Sequence, residues 1–325
     1  MDISDKSGKW MAIVNVYAAS KKAGAYWAEA EKLLERYGVD FDSLSTGNGH
    51  NAMALSLMAC RDGYRKFIAV GGDGTIHDVL GGIGQYVSSV ESDLTFSDFT
   101  IGVIPVGSGN DWIRTAGVPR DIAKAAALIG DGSVRKQDVV RVAVAGAPSG
   151  DVAANVSYMA NVAGVGLDAR VCDIVNRKKE QGFRGRKLYL GALLQCVMNR
   201  VPSKVRVICD GKEVFCGDYL SIAFGTGKYS GGGMRQTPSA IPDDGLLDLT
   251  LIPDLPMMRI ASQAYKLFTG SFLSVRELVT ARCRKVTVAP CGNADGESFE
   301  VDGEVIGNAP VTLEVLEDQI NVVRP

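Results

Sequence analysis

The sequence predicts an α/β domain followed by a mainly β domain. Three observations carry this. Apolar β-type runs alternate with helix-period stretches over the first third of the chain; beyond about residue 140 strand-like runs follow one another with few helices between them; and 325 residues supply two cores at roughly 150 residues per domain. A β-α-β-α-β order makes a parallel sheet with helices on its faces, whereas strands in succession make an antiparallel one.

Taken in order, residues 11–17 read as a strand, 23–37 as a helix, 39–45 as a strand, 51–61 as a helix and 66–70 as a strand. Further strands are expected at 100–104 and, after the Ala-rich helix 121–129, at 139–144. The loop 145–151, rich in Gly, Pro and Ser, precedes the change of texture. Strands then follow at 157–162, 205–209, 219–224, 246–252, 285–289 and 298–301, interrupted by helices near 188–199 and 257–268. No internal repeat or low-complexity tract interrupts the chain.

Composition excludes several classes. With 35 Lys and Arg against 37 Asp and Glu the formal charge is −2, so the chain carries no global electrostatic footprint for nucleic acid. An apolar content of 46% and a charged content of 22% are those of a globular protein. Seven cysteines, odd in number and without a CxxC pair, accompany two histidines, which argues against a disulfide framework or structural zinc and for a reducing, cytoplasmic setting. The apolar helix 188–198 is about half a membrane span. The apolar run 10–19 contains Asn15 and follows Asp2 and Asp5, so it reads as a buried first strand rather than a signal segment.

Four loops carry candidate chemistry. Gly71-Gly72-Asp73-Gly74-Thr75 follows a strand and opens a helix, a place where backbone amides and a helix N-terminus can surround phosphate oxygens. Asp73 would repel a polyphosphate there unless Mg²⁺ or a hydroxyl lies between them; a turn capped by Asp73 or Thr75 is the alternative. The loop 105–111, with Gly107, Ser108, Gly109, Asn110 and Asp111, follows the next strand at the edge where open α/β sheets bind ligands, and alone it also reads as a turn and cap. Asp243-Asp244-Gly245 suits either a hard cation or an acidic hairpin turn. Asp302-Gly303-Glu304 places two carboxylates at a strand end, suited to a general base or to a simple hairpin, and Asp295-Gly296-Glu297 repeats the triplet.

In this order, and over nearly the whole chain, these loops resemble the diacylglycerol kinase catalytic-domain superfamily, which includes soluble bacterial lipid kinases and sphingoid-base kinases. Asn15 near the end of the first strand and the run Asn161 to Ala169 add to the resemblance. It implies a parallel-sheet nucleotide-binding domain of the NAD-kinase and phosphofructokinase kind, a β-sandwich-like lipid domain with the lipid site near the cleft, and a final strand returning to the first domain. Residues 1–138 plus 312–325 would form the first domain and 139–311 the second. By position, ATP would lie at Asn15, Thr46, Gly71, Gly72, Asp73, Gly74, Thr75, Ile76, His77, Asp78, Ser108, Asn110 and Asp111. A mainly structural Mg²⁺ site would use Asp244 with backbone oxygens of Ile241 and Leu246. Glu304 would accept the proton, with Asp302 beside it, and Asp73 would belong to the nucleotide and metal region.

The sequence departs from the family pattern at four places: His77-Asp78 stands for Asn-Glu, Ser108 for Thr, and Val16 for the Pro after Asn15. Asp78 keeps the charge on a shorter side chain, and His77 reads as a helix-start residue near nucleotide rather than an acid catalyst. The expected activity is ATP- and Mg²⁺-dependent phosphorylation of a lipid hydroxyl, most simply that of diacylglycerol or a related lipid. Alternatives are a kinase of a soluble acceptor, since the GGDG loop also occurs in NAD kinases, and a nucleotide- or lipid-binding protein without catalysis. Arg170, Arg177, Lys178, Lys179, Arg184, Arg186 and Lys187, against Asp173 and Glu180, predict peripheral contact with an anionic membrane.

Overall fold

A computed structural model describes residues 6–18, 23–47, 49, 51–90, 92–107, 109–145, 156–181, 183, 186–199, 203–263, 265–291 and 296–325. The chain divides into two compact units: Met1–Val139 with Asp318–Pro325, and Val140–Glu317.

In the first unit β1 (Trp10–Val14), β2 (Phe41–Ser45), β3 (Lys66–Gly71) and β4 (Thr100–Pro105) form parallel pairs. The sheet order is β2-β1-β3-β4-β17-β5, with β17 (Ile320–Val323) parallel to β4 and β5 (Val134–Gln137) antiparallel at the edge. Every residue of β1 is buried, as are five of six in β3 and β4, because helices cover both faces of central parallel strands. Edge strand β2 instead alternates between half-buried and exposed residues toward its end. Helix α1 (Ala23–Arg36) packs with α5 (Ile122–Asp131), and α2 (Ala52–Arg61) with α3 (Asp73–Val87). Asn51 caps α2 by accepting the Ala54 N–H at 2.9 Å, and Asp121 caps α5 by accepting that of Lys124 at 2.9 Å.

The second unit is an eleven-stranded antiparallel assembly. Its spine is β10 (Lys212–Gly225), whose first half pairs with β9 (Ser203–Cys209) and whose second half lies between β8 (Val162–Gly166) and β11 (Leu247–Pro253). Register shifts between Glu213 and Phe215 and between Tyr219 and Ser221 bend the strand. The inner faces close over Phe224, Phe299, Leu249, Val207 and Leu313, all 1% exposed or less, which gives the sandwich-like core. From β9 the order continues through β13 (Lys285–Pro290), β16 (Val311–Val315), β6 (Val140–Val144) and β7 (Val156–Met159). The run predicted at 139–144 therefore joins the antiparallel sheet, paired with β16, and residues 311–315 lie in this unit; the chain re-enters the first unit at Asp318. Helices α6 (Leu167–Glu180) and α7 (Arg186–Met198) enclose a smaller core with Val171, Val175 and Leu220.

Candidate active site

The loops after β3 and β4 are pressed together at the C-terminal edge of the parallel sheet. Val106 and Gly107 both donate backbone N–H groups to the Gly71 carbonyl, at 2.8 and 3.1 Å. A Cβ on Gly107 would stand 2.5 Å from the Cα of Gly72, so no side chain fits between the loops. Gly72 is the N-cap of α3 and brings no side chain to the helix end, where the Thr75 N–H turns back to the Gly72 carbonyl at 2.9 Å and the backbone stays open to an approaching group. Around it Asn15 Nδ2 donates to Thr75 Oγ1 at 3.1 Å and Val16 N donates to the buried Thr46 Oγ1 at 3.2 Å. The structure thus brings together Asn15, Thr46, residues 71–75, Asn110 and Asp111; Ser108 lies outside the described residues.

Asp73 has a defined partner. Its Oδ1 accepts the N–H of Trp112 at 2.9 Å, in the first turn of α4 (Asp111–Ala116). Asn110, the N-cap of that helix, is left-handed (φ 52°) and its side chain makes no cap bond, so Asp73 does the capping from the other loop. Asp111 is buried with Oδ1 3.4 Å from Arg114 Nε. Ile76 and His77 are buried within α3 and Asp78 is half-buried in its second turn.

The acidic hairpin of the second unit joins β14 (Ser298–Val301) to β15 (Glu304–Asn308). Asp302 is left-handed, with φ 52°, and its carboxylate is taken up by three backbone donors: Ala160 N at 3.0 Å on Oδ2, and Asn161 N at 3.0 Å and Val162 N at 3.1 Å on Oδ1. Asp302 therefore clamps the turn to the start of β8 and sets the position of Glu304, which is exposed at the first residue of β15. In the other triplet Asp295 lies outside the described residues, and Glu297 Oε1 pairs with Arg170 Nη2 at 2.7 Å.

Two carboxyls that the sequence left without a role lie beneath this hairpin. Glu300 is 6% exposed and is held well above the usual carboxylate range, first by burial and then by the charges of Asp168, Asp302 and Glu304; one donation from Gly303 N at 2.9 Å opposes the shift. Burial likewise pushes Asp168 up to about 6, against hydrogen bonds from Ser221 Oγ and Gln236 Nε2. Gly164 separates the pair: a Cβ there would meet Asp168 Cβ at 2.7 Å and Glu300 Oε1 at 3.0 Å. Asp168, Ser221, Gln236 and Thr250 are the polar lining of an otherwise apolar pocket closed by Leu167, Leu193, Met234, Ile252 and Phe272 among others. A glycine-rich strand leading to an acidic residue, Gly164 to Asp168, was the available signal for this site; Glu300 had none, since it sits between two core residues of an alternating strand.

The candidate cation loop already holds a guanidinium. Asp244 Oδ1 accepts Leu246 N at 3.2 Å, and its Oδ2 pairs with the Arg282 guanidinium, which also reaches Asp248 Oδ2 at 3.0 Å. Hard oxygen donors suit Mg²⁺, so a cation on Asp244 with the backbone oxygens of Ile241 and Leu246 would compete with the Arg282 guanidinium for the same carboxylate. Among the described residues no group of three or more His, Cys, Asp or Glu side chains is placed to hold a metal ion.

A parallel sheet with paired glycine loops, followed by an antiparallel sandwich with a carboxylate-bearing hairpin, defines a two-unit α/β-plus-β architecture. Residues 9–142 match the diacylglycerol kinase catalytic domain, and residues 161–324 match the YegS C-terminal NAD kinase beta sandwich-like domain. The chain belongs to the family that combines these two domains, as the motif order predicts, and this is a family of lipid kinases. It is 28% identical over 319 residues to a diacylglycerol kinase of Mycobacterium tuberculosis (strain ATCC 25618 / H37Rv), covering 98% of this chain and 96% of the relative. It is 26% identical over 300 residues to a diacylglycerol kinase of Bacillus subtilis (strain 168), covering 92% and 90%. Its fold is similar to the crystal structure of a diacylglycerol kinase from Bacillus anthracis str. Sterne, with a TM-score of 0.70 at 20% identity over 99% of this chain and 98% of that one.

Proposed function

We propose that this protein transfers the γ-phosphoryl group of ATP, taken up with Mg²⁺, to the hydroxyl of diacylglycerol or a closely related lipid. The observation that carries the reading is the backbone contact of the two glycine loops beside the N-terminus of α3, in a chain of this family. Amides of the 71–75 turn take phosphate oxygens, and Asn15, Thr46, Gly74, Thr75 and the loop to Asp111 form the rest of the nucleotide site. Asp73 joins the two loops while leaving a carboxylate beside the phosphates, where a metal-bound triphosphate tolerates it. Glu304 accepts the proton of the lipid hydroxyl and Asp302 acts by positioning it.

A membrane-bound acceptor also requires contact with its bilayer. Among the described residues no helix is long and apolar enough to cross a membrane. Arg170 is committed to Glu297 and Arg177 to Asp173, Arg184 lies outside the described residues, and Phe183, Leu194, Met198 and Met258 expose apolar side chains in the same helical region. We read this surface as a peripheral contact for anionic lipid on the cytoplasmic side. ATP turnover measured with diacylglycerol, monoacylglycerol, a sphingoid base and NAD tests the assignment. Turnover should rise with the first of these in mixed vesicles; a rise with NAD alone, or with none, overturns it. Vesicle sedimentation tests the contact, which fails if binding ignores both anionic lipid content and neutralisation of Arg177, Lys178 and Lys179.

A further inference from the structure

Cys216 and Cys291 approach each other on one face of the antiparallel sheet, on either side of β9. Cys216 in β10 is paired with Arg206 of β9, while Cys291, just past β13, donates its N–H to the carbonyl of Lys204 at 3.1 Å. Residues 204 and 206 project from the same side of β9, so both thiols stand on that side. Their sulfurs are 3.1 Å apart, about 1 Å longer than a disulfide bond. Cys216 is exposed and Cys291 half-buried, whereas Cys60, Cys172, Cys196, Cys209 and Cys283 are all buried. The guanidinium of Arg206 hydrogen-bonds Cys216 and pairs with Glu213 at 3.1 Å, which fixes the surroundings of that sulfur.

We propose that Cys216 and Cys291 are a redox modification site, forming a reversible disulfide when the protein meets a hydroperoxide. The Cys216 thiolate attacks the peroxide, the O–O bond breaks, and the leaving oxygen departs as water or an alcohol, leaving a sulfenic acid. The Cys291 sulfur then attacks the Cys216 sulfur; the S–O bond breaks, the oxygen leaves as water, and the S–S bond forms. Two thiols and one hydroperoxide thus give one disulfide, and two electrons pass to the peroxide oxygens. The bond ties β10, which carries Ser221, to the segment that runs on into β14 and Glu300. Cys209 and Cys283 provide an internal comparison. Their thiols are also in hydrogen-bond contact, but the two residues are only 6% and 1% exposed.

The test is peptide mapping of the intact, folded protein after brief treatment with hydrogen peroxide, quenched with a thiol-blocking reagent. One cross-linked peptide pair containing Cys216 and Cys291 is expected, with a mass loss of about 2 Da and full reversal by dithiothreitol, while the five buried cysteines are recovered blocked only after denaturation. Cys216→Ser should abolish the cross-link and leave Cys291 as a free thiol. Over-oxidation of Cys216 with Cys291 still free, a cross-link between other cysteines, or no loss of thiol at either position would overturn the proposal. The unsubstituted chain alone decides between these outcomes.

Discussion

Replacing Asp168 by asparagine should stabilise the second unit, and only at neutral and alkaline pH. The Asp168 carboxyl, withdrawn from water on a residue that is half-buried overall, has its pKa raised by desolvation from 3.8 to about 6. A raised folded-state value means that the protonated form contributes stability below pH 4, which is lost as the pH climbs through about 6. A difference of about two pH units corresponds to about 3 kcal/mol. The substituted amide would be neutral at every pH and would still accept from Gln236 and donate to the Ser221 hydroxyl, whose proton can rotate away. Removing the charge also relieves Glu300, which Asp168 pushes upward. All three tryptophans, Trp10, Trp27 and Trp112, lie in the first unit, so fluorescence does not report on the second. Amide hydrogen exchange of peptides from β8 and β10 does. Variant and parent should exchange alike at pH 4 after correction for intrinsic rates. At pH 8 the variant should open roughly a hundredfold less often, the equivalent of about 3 kcal/mol. A ratio that does not change with pH, or a parent that is the more protected at pH 8, would refute the account of a buried, strained carboxyl.

Asp73→Asn keeps an oxygen to accept the Trp112 N–H but loses the charge, so turnover should fall at least tenfold while the melting temperature moves by no more than a few degrees; both are read on one preparation. Glu304→Gln should lower turnover at least tenfold with nucleotide binding retained, since the side chain is exposed and supports no packing. Glu297→Gln should leave turnover near normal and cost about 1 kcal/mol through the weakened pair with Arg170, measured by denaturant titration. Mg²⁺ should leave the melting temperature of the nucleotide-free protein unchanged, and should raise it in Arg282→Met, where Asp244 and Asp248 lose their cation; an equal rise in both would show that Asp244 binds metal beside Arg282.

What was legible in the sequence follows from how locally each feature is determined. β1, β3 and β4 are uniformly apolar because both sheet faces are covered, and the glycine loops mark themselves by composition. Strand 140–144 carries the same β-type pattern as the parallel strands; the resemblance put it in the second domain, and its pairing with β16, some 170 residues on, shows which strand it joins there. Helix α6 was hidden for the opposite reason: its buried Val171 and Val175 are few among Arg, Lys and Asp side chains, so the stretch reads as a solvated charged surface. In the site, the acidic triplet at 302–304 was visible, but the division of labour within it was not. That Asp302 spends its carboxylate on three amides of another strand is a long-range fact, as is the guanidinium from β12 (Val279–Cys283) that occupies Asp244.

The central claim is tested most directly by incubating the protein with ATP labelled in the γ-phosphate and with total lipid extract in mixed vesicles, followed by separation and identification of labelled lipid. Label should appear in one phosphomonoester lipid, phosphatidic acid or a close relative, and should disappear with both Glu304→Gln and Asp73→Asn. Label confined to inorganic phosphate, or transferred to a water-soluble acceptor with the lipid fraction unlabelled, would contradict it.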